Sequence, residues 1–140
     1  MKKRVPISQI MTTDVVTLTR KDDLVTAEET FKKNRIRHIP IVSGTSVLGI
    51  LSYTDLMRIS FADAIDEDEH EVDSMVYNMF TIEQVMVKDV ISVPPTATVK
   101  EVAQFLAQKE FHALPVVDEG TLVGIVTTTD LIRYLLELYE

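Results

Sequence analysis

Apolar residues in this chain fall in short runs broken by turn residues, and the runs recur twice in the same order. HIPIV (His38–Val42) and VLGIL (Val47–Leu51) are answered by ALPVV (Ala113–Val117) and LVGIV (Leu122–Val126). Unbroken apolar character predicts buried strands, and the separators SGTS and DEGT predict the turns between them. A stretch of helical period precedes each strand pair. Leu24, Ala27 and Phe31 share one helix face, as do Val99, Val102, Ala103 and Leu106 in the second copy. Each copy opens on a β-like phrase, DVVTL (Asp14–Leu18) or DVISV (Asp89–Val93), and closes on a helix that begins at TDLMRISFADAI or TDLIRYLLELY.

The recurrence has a fixed step. Met11 and Met86, Asp14 and Asp89, Pro40 and Pro115, Gly49 and Gly124, and Asp55 and Asp130 all stand 75 residues apart, with no gap needed. Such a repeat governs the fold, so residues 1–62 and 80–140 are read as two copies and 63–79 as the segment joining them. That segment holds seven acids, Asp63, Asp66, Glu67, Asp68, Glu69, Glu71 and Asp73. They predict a solvated, helix-extending linker. An EF-hand fails there because Glu71 stands where glycine is needed and Tyr77 where glutamate is needed, although His70 among the acids could ligate a metal. In the last helix, Leu131, Leu135 and Leu138 form one stripe and Ile132, Leu136 and Tyr139 a second. The second stripe is expected to meet a partner subunit, unless both serve one wide core. Met11 and Met86 read as adaptable core or interface filler.

Composition narrows the function. The 140 residues suit one domain, or two half-sized units sharing a core, and 46% hydrophobic with 26% charged residues is globular. A net charge of -8 argues against nucleic acid and anionic membrane as partners. There is no cysteine, so disulfides, thiolate metal sites and cysteine nucleophiles are excluded. The start MKKRVPISQIM lacks an apolar stretch of signal-peptide length and no run is long enough to span a bilayer, so a cytoplasmic protein is expected.

The closing helices carry the candidate chemistry. Ser52-Tyr53-Thr54-Asp55 and Thr127-Thr128-Thr129-Asp130 match the capping box, in which hydroxyl and carboxylate satisfy free N–H groups at a helix start. The same helix start favours phosphate, and a lone carboxylate beside it can accept from the two hydroxyls of a ribose. Cap and ligand site can coincide.

HIPIV with GILSYTD and ALPVV with GIVTTTD, each preceded by DVVTL or DVISV, resemble the cystathionine-β-synthase (CBS) domain, and their doubling resembles a tandem CBS pair, or Bateman module. The resemblance runs from about residue 6 to 138. It implies an α/β (α+β) fold of two β-α-β-β-α repeats, packed through their sheets about a pseudo-twofold axis, with two clefts for adenosine-containing ligands. Carried over, one cleft would use Arg37 and His38 for phosphate, Ser52 and Thr54 as hydroxyl donors and Asp55 on the ribose. Thr98 and Ala103 would complete it, with backbone near Ile91 and Ser92 against the base. The other cleft would use His112, Thr127, Thr129, Asp130 and Thr17. There, Asp23 and Glu28 replace Thr98 and Ala103, and Ala113 replaces His38. Two carboxylates near a phosphate would repel it, so the Asp55 cleft is expected to bind more tightly.

No nucleophile–base pair, Walker loop or HExxH motif is present, so neither an enzyme nor a metal site is expected. The expectation is a regulatory sensor of AMP, ADP or ATP, with S-adenosylmethionine as a further candidate. It would form a homodimer and signal to an effector protein. The alternative is a ligand-independent dimerisation or scaffold module with degenerate clefts.

Overall fold

The computed structural model describes residues 4–63 and 77–140. Residues 64–76, which hold most of the acidic linker and His70, lie outside the described residues. In chain order the elements are α1 (Leu24–Asn34), β1 (His38–Ser43), β2 (Ser46–Ser52), α2 (Tyr53–Asp63), α3 (Ile82–Val85), α4 (Val99–Gln108), β3 (Ala113–Asp118), β4 (Thr121–Thr127) and α5 (Thr128–Glu137), with a 3-10 turn at Ile7–Gln9. This is a mixed α/β fold of two repeats, each a β-hairpin with flanking helices.

Packing divides the chain at other places than repetition does. One compact unit is residues 16–90; the other joins residues 1–15 to 91–140. The segment that leads into each repeat is therefore packed on the hairpin of the other copy. In the 16–90 unit, Val87 exchanges both backbone hydrogen bonds with Ile50 of β2, at 2.9 and 3.1 Å. In the other unit, Thr12 does the same with Ile125 of β4, at 2.8 and 2.9 Å.

Glycine permits that approach. A Cβ on Gly49 would lie 2.6 Å from both Met86 Sδ and the Val87 carbonyl oxygen. On Gly124 it would lie 2.6 Å from Met11 Sδ and 3.0 Å from the Thr12 oxygen. Both methionines, read from the sequence as filler, thus lie over the bare backbone of a glycine in the facing strand.

The hairpins pair antiparallel in matching registers, from His38 opposite Ser52 and from Ala113 opposite Thr127, each with an irregularity at the same relative place. Their inner positions are buried as the apolar runs predict. The opening phrases are shorter than strands. Leu18 bridges Ile41 and Val93 bridges Val116 in parallel, one residue each. The reason is local: Pro94 and Pro95 have no N–H to extend a ladder, while the Thr19 N–H donates to the Asp22 carboxylate at 2.8 Å.

In the 16–90 unit the core gathers Leu24, Ala27 and Phe31 of α1 with Ile39, Ile41, Leu51, Leu56 and Ile82. Tyr77, inside the segment read as a linker, is 2% exposed and belongs to this core. The other unit buries Ile7, Val102, Leu106, Leu114, Val116 and Val126. The two stripes of α5 do not divide as expected. Leu131 packs on the core, but Leu135 and Leu138 of its stripe are as open as Ile132 and Leu136, at 50–59% exposure.

Candidate ligand-binding site

Each unit brings one hairpin end against one helix start. In the 16–90 unit, His38 at the head of β1 pairs with Ser52 at the end of β2, and Tyr53 N donates to the Arg37 carbonyl at 2.8 Å as α2 begins. Strand pairing and the chain's turn into α2 thereby collect Arg37, His38, Ser52, Thr54 and Asp55. Arg37 and Thr54 are exposed, while His38, Ser52 and Asp55 are half-buried. In the other unit, Ala113 pairs with Thr127 and Thr128 N donates to the His112 carbonyl at 3.0 Å, so His112, Thr127, Thr129 and Asp130 form the corresponding group.

The two aspartates are held differently. Asp130 closes a full capping box: its Oδ2 accepts from Thr127 N at 2.9 Å and Thr127 Oγ1 at 3.2 Å, and its own N–H donates to Thr127 Oγ1 at 3.2 Å. Asp55 makes half of one. Its N–H donates to Ser52 Oγ at 3.0 Å, but its Oδ1 accepts from Arg58 Nη1 at 3.0 Å. Arg58 escaped the sequence reading although the signal was present, since an arginine stands three residues after the aspartate in both copies.

The remaining expected residues lie on the opening segments and first helices. Thr17, Ile91 and Ser92 are exposed, and Ala103 is half-buried in α4. Thr98 caps α4: its Oγ1 donates to Glu101 at 3.0 Å and accepts the Glu101 N–H at 3.1 Å. The backbone N–H and hydroxyl of Thr98 hold the Glu101 carboxyl below the usual carboxylate range. Asp23, its counterpart, caps α1 by accepting from Thr26 N at 2.8 Å, which lowers its own carboxyl likewise. Glu28 accepts from Tyr77 Oη at 3.1 Å and pairs with Lys32 at 3.7 Å. The two carboxylates thought to repel phosphate are therefore already engaged within the 16–90 unit.

Other features offer less. A surface cavity of about 450 Å³ in the second unit is lined by Val93, Pro94, Thr96, Ala97, Glu101, Val102 and Phe105, none of them an expected site residue. Its one carboxylate serves the α4 cap, which leaves little to orient a polar ligand. Among the described residues no group of three or more His, Asp or Glu could hold a metal ion, and no helix is long and apolar enough to cross a membrane.

Comparison with known proteins agrees with this fold. The CBS domain family model matches residues 7–62 and 82–137. Protein MJ1225 of Methanocaldococcus jannaschii is 34% identical over 131 residues, which cover 93% of this chain and 42% of that protein. The chain thus spans less than half of that relative. Two solved structures share the fold. CBSX2 in complex with AMP superposes with a TM-score of 0.79 at 19% identity, covering 97% of this chain and 99% of that one. The CBS domain pair of protein MJ0100, in complex with 5'-methylthioadenosine and S-adenosyl-L-methionine, gives 0.78 at 24%, covering 99% and 100%.

Proposed function

The chain belongs to the CBS domain family as a tandem pair, and we propose that it is a regulatory module for an adenosine-containing nucleotide, AMP, ADP or ATP, rather than an enzyme. The observation that carries this reading is the grouping of Arg37, His38, Ser52, Thr54 and Asp55 at the start of α2. A helix start, hydroxyls and the Arg37 guanidinium suit a phosphate, and an acceptor carboxylate suits a ribose. The adenosine ligands of CBSX2 and of the MJ0100 pair lend it support. S-adenosylmethionine has the same adenosine part and is the second candidate. A ligand bound at such a helix start would shift the balance of conformations as far as it prefers one of them. An effector protein would read that shift.

Of the two sites we assign the tighter one to Asp55. Thermal unfolding with AMP, ADP, ATP and S-adenosylmethionine tests the reading. A ligand at about a hundred times its Kd should stabilise the protein by about 2.7 kcal/mol. Asp55→Ala should remove most of that gain and Asp130→Ala little of it; the reverse order would overturn the assignment.

The exposed apolar face of α5 and the turn after it favours a second role, contact with another copy of this chain. Ile132, Leu136 and Tyr139 are 55%, 59% and 82% exposed, and covering such a face is favourable. A ligand-independent dimerisation or scaffold module would keep this contact and unfold at the same temperature with and without nucleotide.

A further inference from the structure

The two aspartates have the same neighbours in sequence and yet are bound differently. Asp55 and Asp130 each follow a hydroxyl residue by three positions and precede an arginine by three, Arg58 and Arg133. Asp130 gives its carboxylate to Thr127, while Arg133 makes no ion pair with it among the described residues. Asp55 gives Oδ1 to Arg58, and among the described residues its carboxylate accepts no other bond. The difference begins at the cap. Thr127 is β-branched, which restricts its χ1, and its hydroxyl both donates to and accepts from Asp130. Ser52 is less constrained, and its hydroxyl only accepts from the Asp55 N–H.

Among the described residues each carboxylate keeps one oxygen without a hydrogen bond, Oδ1 of Asp130 and Oδ2 of Asp55. A vicinal diol presents two donors and needs acceptor positions in front of it. Asp130 keeps Oδ1 open, but its Oδ2 is committed to Thr127, so accepting both hydroxyls would draw the carboxylate from its cap and expose the Thr127 N–H it now satisfies. Asp55 has already left. A charge-assisted bond fixes Oδ1, and Oδ2 remains open to hydroxyl donors.

We propose that Arg58 is a positioning residue: it holds Asp55 out of the capping box and so makes Asp55, not Asp130, the aspartate that accepts a ribose diol. The proposal rests on the nucleotide reading above. Arg58 is suited to such a role because its side chain is 75% exposed against 27% for Asp55, and an ion pair so open to water adds little to stability. Its removal should therefore alter recognition without unfolding the chain.

Calorimetric titration of the full chain with AMP and with 2'-deoxy-AMP provides the test, because only the former carries the diol. Arg58→Gln should weaken AMP about tenfold, the usual scale for one charged hydrogen bond, and leave 2'-deoxy-AMP nearly unchanged, so that the preference between them collapses. Arg58→Lys should restore part of it, and Arg133→Gln should change neither ligand. A ligand-free arm reads the geometry directly. Asp55→Ala should leave Tm within about a degree in the parent but lower it by about 3 °C in Arg58→Gln, where the carboxylate can return to the cap. Asp130→Ala should lower Tm in both backgrounds. Undiminished preference for AMP in Arg58→Gln, with binding lost in Asp55→Asn, would overturn the proposal alone. Absence of AMP binding by the parent, or an Asp55→Asn variant that binds like the parent, would sink the nucleotide reading and the proposal with it.

Discussion

The unit of residues 16–90 and the unit that joins 1–15 to 91–140 use the same phrases and complete them with different aromatic residues. In the first, Phe31 is 2% exposed and meets Tyr53 edge to face with ring centroids 5.4 Å apart, while Tyr77 fills the core beside them. In the second, the counterparts of Phe31 and Tyr53 are Leu106 and Thr128. The aromatic pair there is Phe105 and Phe111, half-buried and stacked at 6.1 Å with Lys109 over the first ring. One copy spends its rings inside and the other near its surface. The shared positions, glycine, proline and the apolar runs, are thus enough for the hairpin-and-helix frame, and the rings are what the frame leaves free to differ.

The two cores should part most clearly when each is emptied at a matched position. Phe31→Ala should cost about 4 kcal/mol and Leu106→Ala about 3 kcal/mol in chemical denaturation, since the larger, fully enclosed ring leaves the larger cavity. Equal costs would mean that the 16–90 core can collapse around the loss. A smaller effect comes from the glycines under the opening segments. Gly49→Ala should destabilise by about 2–3 kcal/mol and Gly124→Ala by about 1–2 kcal/mol. Both methionine side chains can swing away, but the Val87 carbonyl at 2.6 Å is backbone and closer than the Thr12 carbonyl at 3.0 Å. Equal melting temperatures for the two variants would show that the segments yield alike.

The smallest effect separates the caps of α1 and α4. The Asp23 carboxyl is held below its ordinary value by the Thr26 N–H. A group with a lowered folded value contributes stability that is complete above its unfolded value, about pH 4, and lost as the pH falls through the folded one. Asp23→Asn keeps the capping oxygen without the charge, so its Tm should fall less than the parent's between about pH 4 and pH 2. Parallel Tm profiles across that range would remove Asp23 as a source of acid sensitivity. The capping hydroxyl of Thr98 does not ionise, and Glu101 carries the acid response in that copy.

The sequence made the strands, their turns and the helix faces legible because burial imposes a period and turns demand particular residues. Leu24, Ala27 and Phe31 are all buried where the helical spacing put them. It did not reveal which opening segment serves which hairpin. Two nearly equivalent segments, around Met11 and Met86, face two nearly equivalent glycine strands, and a one-dimensional pattern matches either pairing. Tyr77 was hidden for another reason: it stands alone beyond an acidic run, with no period to mark it as core. The candidate site was legible by residue type, as Ser52 with Asp55 and Thr127 with Asp130. The orientation of the carboxylates was not, because the same arginine follows both aspartates and only the bonds made in three dimensions set them apart.

The exchange of opening segments also sets a timetable for the chain as it is made. Residues 16–90 contain every piece of their own unit, so that core can close while the rest is still being synthesised. Ile7 has no such option. Its N–H bonds the Ala97 carbonyl at 2.6 Å and its side chain is buried beside Val102, so the segment around Ile7 must wait, unburied, for the second repeat. Residues made before the 16–90 unit thus find their place after it.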